Sequence, residues 1–328
     1  MNVFYFSSDL FASVLATSMV SLMENNKAFD SINIYVIDDG ISKTSKEKLE
    51  GLVQRYDRSL TFIPAPSPNE LFDFPFTDRY QMGHSYPRMA IGTLLPDSVD
   101  RVLALDSDTM ILGNLSKLWD MDMKDNILAG VMDCMNIKKY RKQFGLGTGE
   151  FYCNAGVYLI DLKKWREQHI EDVIKDRIQQ NNGNVFFFEQ TLMNYSCRGK
   201  IAKLHPKYNT YTLFYAFSYE NLMRWRNPSN FYSKKHVEEA KEAPLIIHFT
   251  RNFYMMSRPW VKGCDHPLTE EYVKYKKMTP WPNLEEDNRP AKARFKYALW
   301  HSVPQSLLAL VAGFIYNEVR PKMWWRNE

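Results

Sequence analysis

The chain has 328 residues, of which 45% are hydrophobic and 24% charged, so it is long enough for a buried core and is not wholly disordered. The formal net charge is +4, and all of the excess lies in residues 288–328, where seven cations accompany two anions. A nucleic-acid-binding protein usually spreads its cations over a folded face, so no nucleic-acid partner is expected.

Short apolar runs alternate with longer amphipathic runs over the first 260 residues. The predicted strands are 2–6, 32–37, 60–63, 101–105, 127–131, 156–160 and 244–248. The predicted helices are 11–23, 45–56, 87–95, 162–179 and 189–195. Pro87 is expected in the first turn of its helix, and Asp161 is expected as an N-cap. This alternation predicts an α/β fold with a mostly parallel sheet, whose ligand binds outside the carboxyl ends of the strands.

Several classes of protein are disfavoured by what the sequence lacks. It has no run of about 18 apolar residues, so no simple membrane-spanning helix is expected. The first residues have neither a basic leader nor a small-residue cleavage site, so a secretory signal is not expected. The four cysteines show no CxxC or zinc spacing, which favours reduced thiols in the cytoplasm. The GxGxxG and P-loop motifs are also absent.

An acidic pair, Asp106 and Asp108, directly follows the predicted strand 101–105. Alternate residues on extended backbone point the same way, so the two carboxylates can converge. Without a nearby cation they would repel each other, and oxygen ligands select Mg²⁺ or Mn²⁺. The alternative is that both residues only cap the following turn.

Further motifs accompany this pair in the same order as in one known family. They are VFYFSSD, VIDDGIS, HSYPRM, FYCNAGVYLIDLKKW, FFFEQTLMN and IIHFTRNFYMMSRPW. Together they resemble the family 8 retaining glycosyltransferases over residues 1–282. The resemblance implies a single GT-A (Rossmann-like) domain that binds a UDP-hexose and requires Mn²⁺, with Mg²⁺ as the other possible ion.

The resemblance also implies roles for individual residues. Asp106, Asp108 and His248 would bind the metal, and Asp106 would also reach the ribose. The other implied contacts are Asp9 near the uracil, Asp39 near the nucleoside, Arg88 on a diphosphate or sugar oxygen, Asn154 and Ala155 in the sugar pocket, and Gln190 beside the anomeric carbon. Plainer roles remain open: a structural histidine for His248, caps for Asp9, Asp39 and Asn154, and a surface ion pair for Arg88.

Two positions depart from the family pattern. Thr191 stands where an aspartate usually holds sugar hydroxyls, and Arg258 stands where a lysine is expected beside the leaving diphosphate. The residue at the anomeric carbon, Gln190, is a neutral amide and not a carboxylate nucleophile. We therefore expect same-face attack by the acceptor, although Glu189 is its sequence neighbour.

The C-terminal segment differs in character from residues 1–282, which we predict to be the catalytic domain. Residues 280–288 mix proline with acidic residues and predict a linker. Helical spacing over 291–299, an apolar run over 307–316, and the cations and tryptophans Trp300, Trp324 and Trp325 predict a helical tail within 283–328. We interpret residues 289–328 as an in-plane membrane anchor, and packing on the domain or in a dimer is the alternative.

The resulting hypothesis is a Mn²⁺-dependent retaining hexosyltransferase that transfers galactose or glucose to a glycan acceptor in cell-surface polysaccharide synthesis, and we expect that acceptor to be lipid-linked. It would be a cytoplasmic, peripheral membrane protein and a possible homodimer. A catalytically silent sugar-nucleotide-binding scaffold and a self-glycosylating primer protein remain as alternatives. The cationic, glycine-bearing segment 138–149 is either an acceptor lid or a solvated connection.

Overall fold

A computed structural model of the chain describes residues 1–71, 83–147, 149–183, 185–256 and 258–325. The strands in these ranges are β1 Asn2–Ser8, β2 Asn33–Asp39, β3 Ser59–Pro64, β4 Arg101–Leu105, β5 Thr109–Ile111, β6 Leu128–Met132, β7 Cys153–Asp161, β8 Ile201–Lys203, β9 Thr210–Tyr211 and β10 Ile246–His248. They form a seven-stranded sheet in the order β3-β2-β1-β4-β7-β6-β8 and a three-stranded sheet in the order β5-β10-β9.

The large sheet is mostly parallel, as predicted. Strands β3, β2, β1 and β4 pair in parallel, as do β6 and β8, whereas β7 is antiparallel to both of its neighbours. The carboxyl ends of β1, β2, β4 and β6 therefore lie at the same edge as the amino end of β7. This edge is where a doubly wound sheet offers a ligand site.

Helices cover both faces of the large sheet. The α-helices are α1 Ala12–Asn25, α2 Lys43–Gln54, α3 Pro68–Leu71, α4 Ile91–Leu94, α5 Ser116–Trp119, α6 Ile137–Phe144, α7 Leu162–Glu167, α8 Ile170–Gln180, α9 Phe188–Ser196, α10 Leu213–Ala216, α11 Tyr219–Arg226, α12 Lys234–Glu242, α13 Thr269–Lys276, α14 Ala291–His301, α15 Gln305–Phe314 and α16 Arg320–Trp325. Strand residues alternate between the two cores, so that Val3 and Tyr5 pack into one and Phe4 into the other.

Two predicted helices are wrong. Instead of one helix over 87–95, the chain forms a 3₁₀ helix, Gly83–Met89, followed by the short α4. Pro87 lies inside the 3₁₀ helix and does not open an α-helix. The predicted helix 162–179 is divided into α7 and α8 because His169 has a left-handed backbone, with φ 50°. The Asp161 cap is confirmed, since its carboxylate accepts from the Lys164 amide at 3.0 Å.

The strand predicted at 244–248 is present as β10, but it belongs to the small sheet and pairs antiparallel with β5. The segment 138–149 differs from the predicted loop. Most of its described part is helix α6, whose Tyr140 and Phe144 are buried, and which ends at Gly145 with φ 66°. Residue 148 lies outside the described ranges. All four cysteines are free.

The C-terminal tail packs on the preceding part of the chain through one face of α15. Leu308, Ala309 and Gly313 are buried, and a Cβ on Gly313 would lie 2.9 Å from the Arg224 carbonyl oxygen of α11. The predicted linker is held as well, because Glu285 exchanges backbone hydrogen bonds with Trp260 and Lys262. The side chains of Trp324 and Trp325 lie outside the described residues.

Candidate active site

Polar side chains collect at the carboxyl edge of the large sheet. Asp9 follows β1, Asp39 ends β2, Asp106 follows β4 and Asp133 follows β6. Asn154 lies at the start of β7, which is antiparallel and therefore begins at the same edge. The topology thus brings together residues that are up to about 150 positions apart in the sequence.

Asp106 and Asp108 lie in a tight turn between β4 and β5. The turn is fixed by the Asp106 amide, which donates to the Gly156 carbonyl at 2.9 Å, and by the Asp108 carbonyl, which accepts from the Phe249 amide at 3.0 Å. In the small sheet His248 pairs with Thr109, directly after the acidic pair. Its Nε2 consequently lies 3.3 Å from one carboxylate oxygen of Asp106 and 3.3 Å from one of Asp108.

The His248 ring is oriented by Asn154. The Asn154 Oδ1 accepts from the Gly156 amide at 3.0 Å and the Asn209 side-chain amide at 2.9 Å, and it lies 3.2 Å from His248 Nδ1. Because this oxygen can only accept, Nδ1 carries a proton and Nε2 faces the carboxylates. Gly156 leaves room for the ring, since a Cβ there would lie 2.1 Å from it.

A cation accompanies the acidic pair, contrary to the assumption behind the sequence argument. Arg88, on the 3₁₀ helix Gly83–Met89, donates to Asp106 and lies 3.7 Å from a Glu189 carboxylate oxygen. Burial would raise the pKa of Asp106, but Arg88 and His248 hold it well below its usual range. Burial raises the pKa of Glu189, although Arg88 opposes the shift. Arg88 is thus a partly buried ion-pair partner and not a fully exposed one.

These three side chains fit a divalent cation. One ligand atom from each of Asp106, Asp108 and His248 lies within 4.8 Å of the others. Burial would lower the pKa of His248, but Asp108 and Asp106 raise it to about 10. The imidazole thus keeps a proton on Nε2, and its positive charge offsets the negative charges of the two carboxylates. A bound metal ion would supply that positive charge instead. Carboxylates suit Mg²⁺ and Mn²⁺, and an imidazole suits transition-metal ions, so the donor set is compatible with a divalent cation.

A further carboxylate, that of Asp133, positions the side chains on the predicted sugar side of the site. The Gln190 amide accepts from the Ala155 backbone at 3.0 Å and donates to Asp133 at 3.2 Å. Asn154 also donates to Asp133, at 3.0 Å. The side-chain amides of Gln190 and Asn154 are therefore fixed by protein contacts, and the predicted bond from Asn154 to a sugar hydroxyl would have to replace the one to Asp133.

Thr191 does not occupy the position that we expect for a sugar contact. Its side chain is fully buried, and its hydroxyl is bonded to the Tyr152 hydroxyl at 2.8 Å and to the Phe186 carbonyl. Successive helix residues point about 100° apart, so Thr191 turns into the core when Gln190 faces Asp133. The threonine that replaces the family's aspartate is a packing residue in this structure.

The remaining predicted contacts lie at or near the same edge. Asp9 is exposed and accepts from the Ser42 amide at 3.0 Å, just before α2. Asp39 is partly buried and pairs in register with Ser8. The Arg258 guanidinium stacks 5.3 Å from the Trp260 ring; burial and Arg251 lower the pKa of Arg258, and Asp108 opposes them. Arg258 is therefore close enough to the acidic turn to interact electrostatically with Asp108.

Three supporting residues were missed from the sequence: Asp133, Gly156 and Asn209. Asp133 carries the same signal as Asp106, a carboxylate just after a predicted apolar strand, and could have been found in that way. Gly156 and Asn209 carry no such signal. Their roles depend on the approach of His248 to β7, which only the pairing of β10 with β5 and β9 creates.

The fold and the site define a GT-A type protein. The crystal structure of the galactosyltransferase LgtC in complex with donor and acceptor sugar analogs superposes with a TM-score of 0.67 at 23% identity, covering 90% of this chain and all of that one. The model of the family described as Glycosyl transferase family 8 matches residues 2–262. The chain therefore belongs to glycosyl transferase family 8, and the resemblance seen in the sequence motifs is confirmed.

Curated relatives match most of the chain. General stress protein A of Bacillus subtilis (strain 168) is 26% identical over 287 residues, covering 87% of this chain and 96% of that protein. A lipopolysaccharide 1,2-glucosyltransferase of Escherichia coli (strain K12) is 24% identical over 321 residues, covering 96% of this chain and 90% of that protein. The similarity thus extends into the tail.

Proposed function

We propose that this protein is a Mn²⁺-dependent retaining transferase that moves galactose or glucose from a UDP-sugar to a glycan acceptor. The observation that carries the proposal is the convergence of Asp106, Asp108 and His248 at the carboxyl edge of the sheet. Family membership supplies the reaction class, and the names of the relatives, a glucosyltransferase and a galactosyltransferase, suggest a hexose.

We assign different roles in sugar transfer to the side chains of the site. A divalent cation bound by the acidic pair and His248 would stabilise negative charge on the leaving diphosphate. Arg258 adds positive charge on the same side, and Arg88 keeps Asp106 ionised and in place. Gln190, held by Ala155 and Asp133, presents a neutral amide near the anomeric carbon.

We propose same-face attack because the residue at the sugar is an amide. The acceptor hydroxyl bonds to the anomeric carbon as the bond to diphosphate breaks, and the diphosphate oxygen takes the hydroxyl proton. Of the nearby carboxylates, Glu189 is beside Arg88, and Asp133 accepts from two side-chain amides. A covalent hexosyl adduct on either carboxylate, found by mass spectrometry, would rule out this route.

The test is a panel of UDP-sugars assayed for UDP release with Mn²⁺, Mg²⁺ or a chelator. We expect one UDP-hexose to be hydrolysed slowly with Mn²⁺, and the Asp108→Asn variant to lose roughly 100-fold or more in rate, since a bound metal stabilises such a transition state by several kcal/mol. Asp172→Asn is the matched control, because Asp172 is an exposed carboxylate on α8.

Equal activity of the wild type in chelator, or of Asp108→Asn with Mn²⁺, would overturn the metal-dependent transferase. Tight binding of UDP-sugars without turnover, with or without acceptor glycosides, would favour the silent scaffold. Incorporation of the sugar into the protein itself would favour the primer protein.

We also propose that the tail docks this protein on the cytoplasmic face of a membrane, where its acceptor is lipid-linked. Among the described residues no single helix is long and apolar enough to span a membrane; the pair Ala291–His301 and Gln305–Lys322, bent by 114°, meets the length and composition criteria only together. The outward face of the tail exposes Leu307, Leu310 and Phe314 by 50–64%. Exposed apolar side chains with nearby cations suit an interfacial, in-plane helix.

A further inference from the structure

An apolar groove lies between the tail helices and the catalytic domain. Its cavity volume is about 280 Å³, and its walls include Trp225 and Phe253 of the domain, Trp300 of α14, and Leu308 and Ala312 of α15. The exposed apolar face of α15 borders the groove, because Val311 and Ile315 both line it and are 50% and 52% exposed. A chain leaving a membrane leaflet under that face could enter the groove without crossing water.

The groove has a cationic end. Arg320 is the charged residue among its lining side chains, and its guanidinium lies over the Tyr316 ring. On Tyr316 a second cation stacks at 4.4 Å: the guanidinium of Arg226, whose Nε is buried without a hydrogen-bond partner in the described structure. Burial would lower the pKa of Arg226, but Tyr316 and Asp133 raise it, so Arg226 remains charged. Arg320 is the one of these two cations that lines the groove, and its guanidinium suits an anionic headgroup.

Both cations are also connected to the candidate active site. Arg320 stacks over Phe187 at 5.0 Å and over Phe186 at 5.6 Å, directly before helix α9, which carries Gln190. Asp133, the carboxylate that accepts from Gln190, is close enough to Arg226 to raise its pKa. The polar end of the groove therefore lies next to the start of the helix that carries Gln190.

We propose that this groove binds one alkyl chain of the lipid that carries the acceptor glycan, with the lipid's anionic headgroup at Arg320. The inference rests on the proposed transferase function and specifies its acceptor as an anionic glycolipid. The tail would then select the acceptor as well as hold the protein at the membrane. The apolar walls exclude the glycan itself, which stays outside the groove.

The binding test uses dodecyl phosphate below its micellar concentration, with inorganic phosphate for comparison. We expect a saturable blue shift of tryptophan emission with dodecyl phosphate, at one molecule bound per chain, because Trp225 and Trp300 line the groove, and no saturable change with phosphate. Ala312→Phe fills the groove and should weaken binding at least tenfold. Leu310→Phe adds an aromatic ring to the exposed face of the same helix and should leave binding unchanged. Equal binding by both variants overturns the groove site.

The transfer test compares methyl and dodecyl β-galactosides and β-glucosides as acceptors. We expect the dodecyl member of the accepted pair to have a KM at least tenfold lower, and Ala312→Phe to remove that advantage while kcat/KM for the methyl glycoside stays unchanged. If dodecyl phosphate binds but the dodecyl glycoside has the same KM as the methyl glycoside, the groove holds another lipid. That result overturns the acceptor assignment. If no donor gives UDP release, the transferase proposal is contradicted instead. The groove site is then judged by the dodecyl phosphate binding test alone.

Discussion

A glycine controls the geometry of the candidate metal centre. The ring of His248 crosses β7 at Gly156, where a Cβ would lie 2.1 Å from Cε1 and Nδ1. The same glycine donates its amide to Asn154 and accepts from the Asp106 amide through its carbonyl. One backbone position therefore contacts a carboxylate ligand, the imidazole ligand and the residue that orients the imidazole.

Gly156→Ala is expected to weaken Mn²⁺ binding in the presence of UDP by roughly 10–100-fold, because the ring must leave the carboxylates and its contact with Asn154. Overpacking of this kind also lowers the free energy of unfolding by about 1–3 kcal/mol. Calorimetric titration with Mn²⁺ measures the first effect and denaturant unfolding in chelator measures the second. Gly51→Ala, where the Cβ meets nothing within 4 Å, is the control. Unchanged Mn²⁺ affinity in Gly156→Ala would show that His248 is not a ligand.

A buried histidine makes the stability of the fold depend on pH. His266 is 2% exposed, lies between the rings of Tyr215 and Phe249, and has no partner for Nε2 in the described structure. Burial lowers its pKa from 6.5 to about 4. The unfolded chain therefore binds a proton more readily than the folded one between these values, so stability is full above about pH 6.5 and falls as the pH drops towards 4.

From pH 7.5 to pH 5 this one group should lower the free energy of unfolding by about 2 kcal/mol. His266→Asn retains an acceptor for the Leu268 amide, which donates to the ring at 3.2 Å in the wild type, but it cannot titrate. Urea unfolding at several pH values should thus show a shallower pH dependence in the variant. His169→Asn, on an exposed residue, is the control. The same slope in His266→Asn and the wild type would contradict the assignment.

At the scale of elements, strands with long apolar runs could be predicted from the sequence, whereas most of the strands of two or three residues could not. Strands β1, β2 and β4 have apolar runs that fix their type, whereas β5, β8 and β9 have two or three residues each and gain their order from pairing. The sequence placed Asp106, Asp108 and His248 in one site only through the family motifs. Their convergence depends on the antiparallel pairing of β5 with β10, a contact between segments about 137 residues apart that no local pattern encodes.

Docking of helix α15 depends on close contact with α11. The Gly313 backbone faces the carbonyl oxygens of Arg224 and Trp225, and a Cβ would lie 2.9 Å and 3.3 Å from them. Gly313→Ala should lower the free energy of docking of α15 on α11 by about 1–3 kcal/mol. The higher helix propensity of alanine offsets up to about 1 kcal/mol of this loss. Hydrogen exchange of the α15 amides should accelerate in Gly313→Ala. It should change little in Leu307→Ala, whose side chain is 50% exposed on the same helix. Equal exchange in both would show that the close contact does not hold the tail.

For the whole molecule, the tail has two faces, and only one of them is evident from the sequence. Its cations and apolar residues predicted a membrane anchor, with packing on the domain as the alternative. The structure shows the packing: Asn317 donates to the Trp225 carbonyl at 2.9 Å and accepts from Asn136 at 2.8 Å. The amphipathic pattern could not reveal these contacts, because buried positions on α15 include the small residues Ala309 and Gly313. The other face keeps its exposed apolar side chains, so the two interpretations describe opposite sides of one helix.

Removal of residues 289–328 is therefore a poor test of membrane binding, because it would also uncover Trp225 and Phe253. Point variants on the outer face separate the two effects. Leu310 and Phe314 are 55% and 64% exposed. Replacing both with glutamate removes apolar area and adds charge that an anionic leaflet repels, so binding to phosphatidylglycerol vesicles should fall at least tenfold. Met278→Glu, at an exposed apolar residue of the catalytic domain, is the control.

Vesicle sedimentation at low and high salt measures the effect. Wild-type binding should weaken with salt because the tail cations Arg289, Lys292, Arg294, Lys296 and Lys322 are screened. UDP release from the UDP-hexose in solution should be the same in the wild type and the double variant, because the substitutions lie on the face of α15 turned away from the domain. Vesicle binding that survives in the double variant would exclude this face as the anchor. A change in sedimentation coefficient without vesicles would instead identify the face as a dimer interface.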